Sequence, residues 1–96
     1  MVIGVVKIEL YMNGTRSLKE KRQVLRSLIQ RIKSRYKNVS ISEVDSNDLW
    51  QKATLGISFV SNEKPFVSSI LDQVLRFIDS TGIVDIVQRE TEIFHF

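Results

Sequence analysis

The side chains of this sequence best suited to chemistry are the cations of one segment. From Thr15 to Lys37 there are nine Lys and Arg residues and one acid, Glu20, so the segment has a net charge of +8. The remaining residues hold five basic and ten acidic side chains, or −5, and the whole chain is +3. A positive cluster of this kind attracts phosphate groups or acidic protein surfaces. The charge distribution therefore indicates an anionic partner.

Five of these cations fall within an arc of about 60° on a helical projection. We call them the basic ridge: Lys19, Arg22, Arg26, Lys33 and Lys37. Lys21, Arg31 and Arg35 project from the other flank of the same helix. The ridge is open to three interpretations: a surface for RNA phosphates, a solvated helix face whose aliphatic stems cover the edge of the core, and a surface for an acidic protein. Solvated faces are the commonest origin of charge runs.

The acidic residues Glu43, Asp45 and Asp48 form a second cluster. Three carboxylates can hold Mg²⁺, but this spacing matches no known metal loop. We expect the aspartates to accept hydrogen bonds from turn N–H groups, and Glu43 to pair with a Lys or Arg of the first helix. His95 stands near the C-terminus without a second His or Cys. The sequence thus predicts no catalytic residue, metal, cofactor or small-molecule substrate, and a binding protein rather than an enzyme.

Trp50 is the single tryptophan and follows Leu49 in a connecting segment. A loop tryptophan can anchor a partner, or it can fold back over the edge of the core. Burial of the large indole ring is so favourable that we expect the second arrangement.

The basic residues belong to an amphipathic helix predicted over Ser17–Lys37. Ser17 is a good N-cap, Glu20 three residues later completes a capping box, and Asn38 can end the helix. Its apolar residues recur at helical spacing, and we expect Leu25, Ile29 and Ile32 to lie in the core. The full apolar face is Leu18, Leu25, Leu28, Ile29, Ile32 and Tyr36.

Alternating apolar and polar residues predict four strands. These are Val2–Met12, Val39–Asp45, Ala53–Val60 and Ile83–Phe94, the last with a bulge between Val87 and Arg89. A second helix follows the third strand, with Ser61 or Asn62 as its cap, Pro65 in its first turn, and Thr81–Gly82 at its end. Its buried stripe is Val67, Ile70, Leu71, Val74, Phe77 and Ile78.

The element order β-α-β-β-α-β with right-handed crossovers predicts an α+β fold, a ferredoxin-like sandwich. We expect one domain over residues 1–96, with four antiparallel strands in the order 4-1-3-2 and both helices on one face. The other face is mixed in character, and a small domain gains stability by covering it. We therefore expect a homo-oligomer, at least a dimer. A homo-oligomeric interaction module without a nucleic-acid role is the alternative to RNA binding.

An RNA-recognition motif shares this element order, but it stacks bases on aromatic residues of its first and third strands. Only Tyr11 is suitably placed here, so we expect any RNA on the basic helix instead. The apolar N-terminal stretch is short, lacks a basic leader and is interrupted by Lys7 and Glu9. It predicts neither a signal peptide nor a membrane span, and the expected location is the cytoplasm.

Two segments resemble the signatures of the YlxP-like family of small bacterial proteins, a domain of unknown function. They are SLKEKR at Ser17–Arg22, and EVD followed by DLWQKA at Glu43–Asp45 and Asp48–Ala53. The resemblance covers essentially the whole chain. It implies a ferredoxin-like fold and a bacterial cytoplasmic setting, with genes often beside those for translation initiation and ribosome maturation factors. It implies no established activity and no catalytic residues. RNA or the ribosome is therefore the partner that we expect.

Overall fold

The computed structural model describes residues 1–46 and 49–96, which form six elements in the predicted order. They are β1 (Val2–Tyr11), α1 (Leu18–Arg35), β2 (Ser40–Asp45), β3 (Lys52–Ser61), α2 (Lys64–Thr81) and β4 (Asp85–His95). The strands form one antiparallel sheet in the order β2-β3-β1-β4, which confirms the prediction. Neither helix is apolar enough over a sufficient length to cross a membrane.

Strand β1 is the centre of the sheet, because it pairs over its whole length with both β3 and β4. Its residues Val6, Ile8 and Leu10 are buried on the face that carries both helices. Gly4 shares that face, and a Cβ atom there would overlap the side chains of Val67 and Leu71 in α2. The glycine therefore allows α2 to lie close against the central strand.

The predicted bulge in β4 is confirmed. Glu9 pairs with Gln88 and Leu10 pairs with Ile86, so Val87 has no partner on β1. A second irregularity, which was not predicted, lies in the edge strand β2. Its register against β3 shifts between Glu43 and Asp45.

The predicted ends of both helices need correction. Helix α1 ends at Arg35 instead of Lys37, because Tyr36 leaves the helical conformation as its C-cap and its ring packs against Phe77 of α2. Lys37 therefore lies in the turn after the helix. Helix α2 has Glu63 as its N-cap instead of Ser61 or Asn62. Ser61 is not free to cap, because β3 continues through it and pairs it with Val2.

The predicted cap of α1 forms with a small change of partner. Ser17 Oγ accepts the N–H of Glu20 at 3.1 Å, as expected of an N-cap. The Glu20 carboxylate accepts the N–H of Arg16 at 2.6 Å, one residue earlier than a capping box requires. The helix start is thus fixed by reciprocal hydrogen bonds close to the predicted position.

The core lies between the sheet and the two helices. Leu25, Leu28 and Ile32 of α1 are buried in it, whereas Ile29 is half-buried, because it lies on the flank of the helix near β2. From α2 the buried residues are Val67, Leu71, Val74, Leu75 and Ile78, while Ile70 and Phe77 lie at its edge. The predicted core of α1 is therefore correct for Leu25 and Ile32 and only partly so for Ile29.

Leu25→Ala tests this placement of α1. We expect a loss of about 2–5 kcal/mol in the free energy of unfolding, because a large buried side chain is removed and a cavity remains. Ile29→Ala is the matched control on the same helix, and its half-buried side chain should cost clearly less. Chemical denaturation monitored by circular dichroism gives both values. Equal losses for the two variants would contradict the helix orientation.

Candidate functional site

The basic ridge lies on the outer surface of the helical layer. Lys19, Arg22, Arg26 and Lys33 are exposed along α1, and Lys37 is exposed in the turn that follows it. At 1.5 Å per residue, the stretch from Lys19 to Lys33 is about 21 Å long. Among residues 1–46 and 49–96, no carboxylate forms an ion pair with any of the five.

The flank of α1 that carries the ridge faces the edge strand β2. Three of its cations, Arg22, Arg26 and Lys33, line a groove of about 400 Å³ between the helix and this edge. Leu25 and Ile29 supply apolar surface to the same groove, and Glu43, the ion-pair partner of Lys21, also lines it. The structure thus brings three of the five predicted residues around one depression, while Lys19 and Lys37 lie outside it. A groove with cationic walls and an apolar lining suits a phosphate-bearing ligand whose other parts are less polar.

The opposite flank of α1 faces α2 and carries Arg31 and Arg35. The Arg35 guanidinium lies 5.0 Å from the ring centroid of Phe77, a cation–π distance. Arg31 and Arg35 line a second depression beside Phe77. These two arginines therefore belong to the junction of the helices and not to the ridge.

Lys21 does not lie on the flank with Arg31 and Arg35, where it was predicted. Its side chain is only 1% exposed, and Nζ lies 2.9 Å from Glu43 Oε2 on β2. Nζ also donates a hydrogen bond of 2.6 Å to the carbonyl oxygen of Ser46. The sequence contained the signal for this placement: Lys21 stands four residues before Leu25 and seven before Leu28, both on the buried face.

The acidic cluster is a structural feature in the part that the structure describes. Glu43 pairs with a lysine of α1, as predicted, and the buried Oε2 atom has no other hydrogen-bond partner there. Asp45 Oδ1 accepts the N–H of Ser46 at 2.7 Å, which confirms its role in the turn. Asp48 lies outside the described residues. Within them, no three Asp, Glu or His side chains gather closely enough to hold a metal ion.

Ser46 joins three elements at the end of β2. Its carbonyl oxygen accepts the hydrogen bond from Lys21 of α1, and its hydroxyl Oγ lies 3.1 Å from Thr54 Oγ1 on β3, within hydrogen-bond distance. It adopts the left-handed conformation, with φ of 64°, which turns the chain away from the strand. The buried ammonium, the carboxylate and this turn together tie α1 to the sheet edge below the ridge.

Trp50 does not fold back over the core, contrary to the prediction. Its side chain is 55% exposed and lies near Leu49 and Tyr11, which are also exposed. Hydrogen bonds of the backbone explain this orientation. Thr15 Oγ1 donates to the carbonyl oxygen of Trp50 at 2.7 Å, and the N–H of Met12 donates to the carbonyl oxygen of Gln51, also at 2.7 Å. These bonds hold the segment from the inside and leave the indole facing solvent.

Collisional quenching of fluorescence checks the exposure of Trp50, since this is the single tryptophan. Acrylamide should quench the folded protein nearly as strongly as the unfolded chain. Trp50→Ala should change the free energy of unfolding by no more than about 0.5 kcal/mol, as for other surface substitutions. A protected, blue-shifted emission together with a large stability loss would show that the indole is buried.

A double-mutant cycle tests the buried ion pair. Lys21→Met should cost about 3 kcal/mol in the free energy of unfolding, because the largely buried Glu43 carboxylate loses its counter-charge. The double variant Lys21→Met, Glu43→Gln should be more stable than Lys21→Met alone, since neither charge then remains. Denaturant titrations of the four proteins give the coupling energy. Additive effects would mean that the two side chains do not interact.

Comparisons with known proteins agree with the fold and identify the family. The sequence profile described as "Protein of unknown function (DUF503)" matches residues 3–91. Over 93 residues the chain is 38% identical to "Uncharacterized protein YlxP" of Bacillus subtilis (strain 168), covering 97% of this chain and all of that one.

Two solved structures of designed proteins share the fold. A design with a ferredoxin fold, LFR1 1, has a TM-score of 0.60 at 14% identity, covering 96% of this chain and 86% of that one. The design Foldit4 has a TM-score of 0.53 at 11% identity, with 99% and 97% covered. The ferredoxin-like architecture is therefore confirmed. The profile match and the Bacillus subtilis relative together show that the chain belongs to the DUF503, YlxP-like family.

Proposed function

We propose that this protein is a non-enzymatic, cytoplasmic RNA-binding protein, acting on or near the ribosome, that contacts phosphates through the basic ridge. The observation that carries the proposal is the pairing of charges. Among the described residues, five of the nine cations outside the ridge have no carboxylate within 4.0 Å, whereas Lys7, Lys21, Lys52 and Arg89 each have one. In the same part of the chain none of the ridge cations has one, although the chain has eleven acidic residues. The ridge thus leaves its charge available to an external anion.

The shape of the ridge is consistent with one strand of a nucleic acid. Its length of about 21 Å along α1 is enough to contact several consecutive phosphates of one strand. Lys and Arg contacts to phosphates supply affinity without reading sequence. We therefore expect binding that depends on salt far more than on the RNA sequence.

The uncovered face of the sheet is a poorer site for RNA. Its aromatic residue on β1 is Tyr11, and its β3 positions Thr54, Gly56 and Ser58 offer nothing on which a base could stack. Glu90 of β4 lies on that face opposite Lys7 and forms an ion pair with it, so Lys7 is less available to phosphates. The helix is therefore the surface that the charges favour.

The test compares wild type with the triple variant Arg22→Gln, Arg26→Gln, Lys33→Gln. These three residues line the groove, and each is exposed, so the fold should be retained. Titration against structured RNA at several salt concentrations should show tight binding at low salt, with a steep salt slope. The variant should lose about one unit of slope for each phosphate contact removed.

A matched control separates the ridge from overall charge. Lys64→Gln, Arg76→Gln, Arg89→Gln removes the same net charge from α2 and β4, and should leave the slope close to that of wild type. The absence of RNA binding by wild type at low salt would refute the proposal. Equal slopes for the two triple variants would show that net charge, not the ridge, drives association. Release of the protein from sedimented ribosomes by high salt would support the ribosomal setting.

A further inference from the structure

The sheet has one face that carries no helix, and its composition changes along the strands. Because β1 buries Val6, Ile8 and Leu10 against the helices, the alternate residues of β1 point to the other side. These are Ile3, Val5, Lys7, Glu9 and Tyr11. The half of this face near the chain termini is apolar, and the other half is charged.

Six apolar side chains form what we call the terminal patch. Ile3 pairs with Val60 on one side and with Phe94 on the other, so the three form a continuous row across β3, β1 and β4. Met1 and Phe96 extend this row, since their backbones exchange hydrogen bonds of 2.8 and 2.9 Å. Strand alternation puts Ile3, Val5, Val60 and Phe94 on the uncovered side, and Met1 and Phe96 lie one residue beyond the ends of β1 and β4. The patch comprises Met1, Ile3, Val5, Val60, Phe94 and Phe96.

The patch is more exposed than apolar surface usually is. Met1, Val60, Phe94 and Phe96 are between 43% and 86% exposed. A contiguous apolar surface of this kind marks an interaction site, whereas single exposed apolar residues are ordinary. Two of its six residues are phenylalanines, the residue type that interface cores favour.

The remainder of the face is neutralised within the chain. Lys7 lies 3.9 Å from Glu90, and Lys52 lies 3.4 Å from Glu9. A shallow groove of about 750 Å³ crosses the face from β2 to β4. The small residues Ser42, Gly56 and Ser58 leave room on its β2 side, and Lys7, Glu90 and Glu92 line its other side. The face thus combines an apolar end with a depression that contains serine hydroxyls, apolar side chains and the carboxylates of β4.

We propose that the terminal patch is the centre of a homodimer interface in which two sheets pack face to face. A two-fold axis along β1 would place Phe94 of each copy over Val60 of the other, and the two Ile3 side chains together. Such reciprocal contacts are what a two-fold interface requires. The same operation lays Glu90 and Glu92 of β4 over the partner's groove, where serine hydroxyls can donate hydrogen bonds to them.

The available area agrees with a stable dimer. Three strands of ten or eleven residues and one of six, spaced about 4.8 Å apart with about 3.3 Å per residue, present about 600 Å² of sheet face. Two copies would therefore bury on the order of 1,200 Å², the lower limit for a specific, stable interface. A polyanion is a poorer occupant, because the patch contains no Lys or Arg side chain and Glu92 lies beside it, opposite Val5.

The dimer leaves the proposed RNA surface free. Both helices of each copy lie on the side of the sheet away from the interface, which gives a helix-sheet-sheet-helix arrangement of four layers. The basic ridges are then on the two outer surfaces. The inference does not depend on RNA binding, and either proposal can fail without the other.

Light scattering and sedimentation equilibrium over a wide range of protein concentration test the dimer. Wild type should have twice the chain mass of 11.1 kDa. Phe94→Lys should weaken dimerisation by about thirtyfold, as expected for a hot-spot residue, and Val60→Lys should act in the same direction from the neighbouring strand. Both residues are exposed in the single chain, so circular dichroism should show a retained fold.

Phe66→Lys is the matched control, because Phe66 is exposed to a similar degree, 48%, but lies on α2 in the helical layer. It should dimerise as wild type does. A wild type that is monomeric at every concentration would refute the proposal. So would Phe94→Lys and Val60→Lys variants that dimerise as tightly as the Phe66→Lys variant. Loss of dimer with an unchanged salt slope for RNA would separate the two surfaces.

Discussion

One constraint determines most of this structure: both right-handed crossovers place their helices on the same face of the sheet. Each strand must then divide its side chains between a covered and an uncovered side. The covered side is uniformly apolar along β1, whereas the uncovered side changes from Ile3 and Val5 to Lys7 and Glu9. The core, the outward ridge and the terminal patch are all consequences of this two-layer arrangement.

The buried ion pair adds a second constraint, on the rotation of α1 about its axis. With the Lys21 ammonium held by Glu43 and by the Ser46 carbonyl, the helix cannot roll without exposing or orphaning a buried charge. Viewed along the helix axis, Arg22 lies about 100° and Arg26 about 140° around from Lys21. Both therefore face outwards on the β2 side. A buried charge of this type costs desolvation energy. The benefit that we infer is a fixed orientation of the ridge relative to the edge strand.

Much of the fold follows from the sequence because its signals are local and periodic. The strand alternation of Ala53 to Phe59, the helical spacing of Leu25 and Ile32, and the β4 bulge at Val87 all lie in the chain itself. The errors arise where tertiary contacts override a local rule. Lys21 was predicted on the flank with Arg31 and Arg35, but its position beside Leu25 and Leu28 buried it. Indole hydrophobicity suggested a buried Trp50, but hydrogen bonds to its backbone turned it outwards.

The terminal patch could not be recognised before the strands were paired. Val60 and Phe94 are 34 residues apart and come together only because both oppose Ile3.

A dimer formed through the terminal patch would also determine whether one RNA can contact both basic ridges. Four layers of sheet and helix, each about 10 Å thick, separate the ridges in such a dimer. A short RNA could contact only one ridge, so dimerisation would leave its affinity unchanged. Only an RNA long enough to pass around the edge of the sheets would gain from the second ridge, through effective concentration.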